Sequence, residues 1–72
     1  MNVKVITMPE WIRKGAYVLI HSAVFGLIKV LITEVNHIKV TYEAELHNRN
    51  YDCAISYNNV LLMVESGDIK PC

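Results

Sequence analysis

Apolar and polar positions alternate with a period of two along three stretches of this chain, the spacing of strands that bury one face. Across Ala16 to Ser22, Val18 and Ile20 fall on one side and Tyr17, Leu19 and His21 on the other. Across Leu27 to Val35, Ile28, Val30 and Ile32 share a side, with Leu27, Lys29, Leu31 and Thr33 opposite. That run is apolar enough to suit a helix. Gly26 in front and Asn36-His37 behind cut it to strand length, and its β-branched content agrees. From Ile38 to Tyr42 the rhythm puts Ile38 and Val40 inward and Lys39 and Thr41 outward. Asn36-His37 reads as a two-residue hairpin turn between the second and third strands, because Asn tolerates left-handed backbone.

Glu43 to Asn50 is polar, and it reads either as a hairpin loop or as two strand ends continuing beyond the main sheet. Tyr51 to Ser56 is a fourth strand with Cys53 and Ile55 on one face. Tyr57-Asn58-Asn59 predicts a tight turn, with a single 3₁₀ turn expected there in a small barrel, and Val60 to Val64 a closing fifth strand. Ser66-Gly67-Asp68 stops that strand, so residues 66–72 read as a loose C-terminal tail. At the other end, Val3 to Met8 reads as a short strand halted by Pro9, and Pro9 to Lys14 as a turn into Gly15. The expected organisation is all-β: an N-terminal extension over residues 1–14, a five-stranded barrel over 15–65, and the tail.

Gly15-Ala16-Tyr17-Val18-Leu19-Ile20, Phe25-Gly26-Leu27-Ile28, Ile38-Lys39-Val40 and Asn59-Val60-Leu61 together resemble the SH3-like small β-barrel superfamily, in its KOW and Tudor-like branch. The resemblance spans Gly15 to Val64 and implies a small five-stranded SH3-like barrel. Tudor-type modules hold methylated side chains in aromatic cages, and Tyr17, Phe25, Tyr42 and Tyr51 lie nearest the expected positions. The acidic-Tyr-Gly turn typical after strand three is replaced here by the longer Glu43 to Asn50 segment. KOW modules contact RNA or the transcription and translation machinery. In that reading the loop from His21 to Gly26 approaches the partner, Gly26 represents the KOW core glycine, and Lys29, Lys39 and Arg49 are the phosphate contacts.

At 72 residues the chain makes one domain, and a domain of this size buries only about 60% of its unfolded surface. Hydrophobic residues form 53% of the sequence, more than a narrow barrel encloses. The surplus falls on the outward side of the first two strands as Leu19, Leu27 and Leu31. Contiguous exposed apolar groups mark partner surfaces, unless the Val3 to Met8 strand or the Trp11 segment folds back over them. The expected partner-binding set is therefore Leu19, Leu27, Lys29 and Leu31, with Phe25, Tyr42 and Arg49 beside them.

Seven basic and seven acidic residues give a formal net charge of zero with the histidines neutral, and no polybasic run exists. A phosphate-neutralising surface carries a basic excess, so nucleic acid is a partner class the charge balance does not favour. His21, His37 and His47 are scattered without short-spaced ligand partners, and Glu43 and Glu45 share a face without a recognisable pocket. No catalytic set, metal site or cofactor motif emerges. Cys53 and Cys72 have neither metal nor disulfide spacing. No secretory signal or apolar stretch of membrane-spanning length is present, so a cytoplasmic location and no membrane association are expected.

The expected function is non-enzymatic. A small adaptor or inhibitor docks on a protein partner through an apolar strand face, with homodimer formation as another outlet for the surplus. Such a chain suits accessory proteins of bacteria or their phages. The alternative is a KOW-like module that binds nucleic acid or the transcription and translation machinery. A third class is an enzyme whose site forms only at the symmetry axis of an oligomer.

Overall fold

The computed structural model describes residues 7–72, so the strand expected from Val3 lies mostly outside the described residues; Thr7 and Met8, at its end, are not in a strand. Five antiparallel strands form a single sheet: β1 (Tyr17–Ser22), β2 (Gly26–Val35), β3 (Lys39–Leu46), β4 (Arg49–Ser56) and β5 (Ile69–Pro71). A helix, α1 (Tyr57–Ser66), connects β4 to β5. The strand order is β4-β3-β2-β1-β5, which makes β4 and β5 the two edges. These edges do not pair, so the sheet is an open barrel rather than the closed cylinder expected.

The first two strands follow the alternation closely. Val18, Ile20, Val30 and Ile32 are buried, and Ile28 packs against them. In β2 a bulge at Thr33 shifts the register between Ile32 and Glu34 and so turns Val35 inward beside Val40, where an unbroken period of two would point it out. The Thr33 hydroxyl donates to the Thr41 carbonyl at 3.2 Å, tying the bulge to β3.

Of the two later hairpins, the first differs from expectation. Between β2 and β3, Asn36 does not adopt left-handed backbone. Its side-chain oxygen instead accepts hydrogen bonds from the amides of Ile38 (2.7 Å) and Lys39 (2.9 Å), so the side chain rather than the dihedral shapes the turn. Ile38 is consequently in the turn and 64% exposed, not inward. The two-residue hairpin lies further on, at His47-Asn48, with φ of 53° and 63°. Two consecutive left-handed residues suit the twist of the flanking strands. Of the two readings of Glu43 to Asn50, the structure has the strand extension.

Val60 to Val64 is helix, not the closing strand. A five-residue apolar run carries no period of its own, and its ends decide. The Ser56 hydroxyl caps the start by accepting from the Asn59 amide at 3.3 Å, and Gly67, at φ 84°, ends the helix by donating to the Met63 and Val64 carbonyls. The tail is likewise partly a strand. β5 pairs with β1 through Ile20 opposite Ile69 and Val18 opposite Pro71, and the His21 amide reaches the Asp68 carbonyl at 2.8 Å.

The core lies on the inner face of the sheet. Val18, Ile20, Val30, Ile32, Val40, Ala44 and Ile69 meet Val60 from α1 and Ile12 from the N-terminal turn. Trp11 and Met8 pack against the same cluster, so this segment plugs the barrel end where β1 begins instead of covering the outer leucines. Hydrogen bonds from Gly15 N–H to Ile32 (2.8 Å) and from Ile32 N–H to Ala16 (2.9 Å) hold the plug in register with β2.

Candidate functional site

At the opposite end the barrel stays open. The inner faces of β1 to β4 form the floor of a cleft of about 530 Å³, with Ile20, Ile28, Ala44 and Leu46 below, Tyr51, Cys53 and Ile55 along the β4 side, and Met63 of α1 closing one flank. The lining is predominantly apolar. It exists because α1 covers only part of the concave face and no strand bridges β4 to β5.

Two turns frame the mouth. In the β1–β2 turn, the Ser22 hydroxyl accepts from the amides of Val24 (3.3 Å) and Phe25 (3.2 Å), while Gly26 takes φ 72° to return the chain into β2. This fixes Phe25 over the end of the cleft. His47, from the β3–β4 turn, meets it edge-on with ring centroids 5.9 Å apart and planes inclined at 63°. Phe25 and Tyr51 remain 50% and 45% exposed, so aromatic surface stands at the rim above an apolar floor.

Within the cleft, Tyr42 and Cys53 are a cross-strand pair. Burial raises the Tyr42 hydroxyl above its ordinary pKa of 10.0, and the Cys53 thiol, in hydrogen-bond contact, pushes it the same way. The phenol is therefore neutral at physiological pH.

A second hollow of about 530 Å³ lies on the outer face, between Tyr17, Lys29, Leu31, Glu43, Glu45 and the His47-Asn48 turn. Its apolar surface is broken by charge. The Lys29 ammonium sits 4.8 Å from the centre of the Tyr17 ring, and Leu31 lies opposite Glu43. Among the described residues no cluster of three or more His, Cys, Asp or Glu is placed to hold a metal ion, and no helix is long and apolar enough to cross a membrane.

The seven residues expected to bind a partner divide between the two faces. Phe25 and Tyr42 belong to the cleft, and Arg49 lies on the same face at the start of β4, opposite Leu46. Leu19, Leu27, Lys29 and Leu31 are on the outer face, with Leu19 opposite Lys29 and Leu27 opposite His21. Tyr51, one of the aromatics that the Tudor resemblance puts near a cage, joins Cys53 and Ile55 on the cleft side of β4. Ala44, Leu46 and Met63, which also line the cleft, were not singled out for binding by sequence reasoning. The position of Met63 depends on recognising α1. No family model matches the chain, and no curated protein or solved structure matches it.

Proposed function

We propose that the protein is a non-enzymatic binding module of SH3-like type that docks on a protein partner by taking an apolar segment into the open end of its barrel. The observation that carries this reading is the aromatic rim of Phe25 and Tyr51 above the apolar floor of the cleft. Partly exposed aromatic side chains beside a preformed concavity are the usual anchors of protein recognition, since they supply large contact area for little conformational entropy. The strand order, with a helical connection between the fourth and fifth strands, supports the superfamily assignment. The outer leucines are a weaker candidate, because Lys29 and Glu43 interrupt them.

Selection from a display library of extended peptides, followed by calorimetry, tests the reading. A selected peptide retains its affinity in high salt, while Phe25→Ser and Tyr51→Ser each weaken it by at least ~10-fold. Leu31→Glu, on the other face, leaves it unchanged. Loss of binding in Leu31→Glu with the cleft variants unaffected transfers the site to the outer face and defeats the proposal. RNA or DNA binding that collapses with salt favours the KOW-like alternative instead.

A further inference from the structure

The two edges of the sheet are treated very differently. β5 exposes only three residues, and they include Lys70 and Pro71, the residue types that discourage further strand pairing, Lys by its charge and solvation and Pro by its missing amide hydrogen. β4 spans eight residues, Arg49–Ser56, contains neither Pro nor Lys, and has no hydrogen-bonded strand on its far side among the described residues. An edge of that length with its amides and carbonyls unpaired is a template for another strand.

We infer that a second copy of this chain occupies that edge, pairing β4 with β4 antiparallel about a two-fold axis normal to the sheet. Overlap and charge together select the register, because centres at Asp52 and Cys53 keep the most of β4 paired. Such an axis keeps inner-facing residues opposite inner-facing ones, so only registers that preserve face are open. Centring it on Asp52 sets two carboxylates against each other. Centring it on Cys53 puts Asp52 opposite the partner's Ala54, Asn50 opposite the partner's Ser56, and Tyr51 opposite the partner's Ile55, with no like charges opposed. Aromatic and β-branched residues directly across a ladder are a favourable pair. Tyr51 and Ile55 already line the cleft of one chain, so the pairing joins two clefts into a continuous apolar floor open on one side. Zero formal net charge imposes no long-range repulsion between copies. The inference is independent of what the clefts bind.

Sedimentation equilibrium of the full chain from micromolar to millimolar concentration tests it, with two substitutions at the exposed Ala54. The wild type is a reversible dimer. Ala54→Asp sets two like-charged pairs across the axis and weakens association by ~10-fold, whereas Ala54→Lys sets Lys against Asp52 twice and strengthens it. Circular dichroism confirms that both variants fold, and each is compared with the wild type at the same salt. A wild type that stays monomeric throughout, or an Asp and a Lys variant that shift association in the same direction, overturns the inference. Failure of peptide binding with dimerisation intact would count against the cleft reading alone.

Discussion

The inner and outer faces of the sheet are built from the same alternating strands, yet they have different fates. On the inner face, neighbours are apolar in both directions: Val30 opposite Ala44, Ile32 opposite Tyr42, Val40 opposite Ile55. On the outer face, leucines meet Lys29, Glu43 and His21 across the ladder. What distinguishes a cohesive apolar region from a scatter of exposed leucines is therefore the cross-strand neighbour, which a single strand's pattern does not contain. Part of the exposed apolar surface, Phe25 and Tyr51, borders the inner cleft, while Tyr17 and Leu27 stay on the outer face. The barrel leaves open a gap that its own side chains already line.

The sharpest test of this contrast is Ile32→Ala. Ile32 is 1% exposed and sits at the centre of the inner face, so the substitution is expected to cost about 2–5 kcal/mol of unfolding free energy in urea titration. A loss under one kcal/mol would indicate a loosely packed interior and would erase the distinction between the faces.

A smaller, pH-dependent effect comes from Tyr42, whose hydroxyl is raised by burial and by the nearby Cys53 thiol. The folded state holds the phenol proton more tightly than the unfolded chain does. This contribution to stability is complete below the ordinary tyrosine pKa of about 10 and is lost as pH climbs through the raised value. Denaturant midpoints measured from neutral pH upward should fall in the alkaline range, and Tyr42→Phe should flatten that fall. An identical alkaline slope in the variant would place the titration elsewhere.

The smallest change is expected on the outer face. Leu27 is 50% exposed, and Leu27→Ala should alter stability by no more than about 0.5 kcal/mol. A cost well above one kcal/mol would show that something covers this face in solution, and would revive the outer leucines as packed surface.

Much of the sheet was legible from sequence because β1 and β2 advertise their faces residue by residue, with Gly26 marking the turn between them. Two kinds of feature were not. Asn36 was recognised as a turn residue, but its side-chain hydrogen bonds were mistaken for a backbone role, since Asn serves in either way. The run from Val60 to Val64 is apolar on every side when read as a strand, and only Ser56 and Gly67 at its borders mark it as helix. That substitution of helix for strand moved the fifth strand to Ile69–Pro71 and took Met63 into the cleft. Reading that run as a strand left Met63 out of the residues that line the cleft, while the faces of β1 and β2 stand as read.

The placement of β5 also bears on how the molecule comes into being. β1 and β2, β2 and β3, and β3 and β4 are sequence neighbours that zip together through local hairpins, but the other companion of β1 among the described residues is Ile69–Pro71, beyond α1. Contacts so distant along the sequence form late. During synthesis β5 emerges after the other four strands, so until then the nascent chain carries β1 with one flank bare. In that interval the vulnerable border of the sheet is β1, and the arrival of β5 removes that hazard.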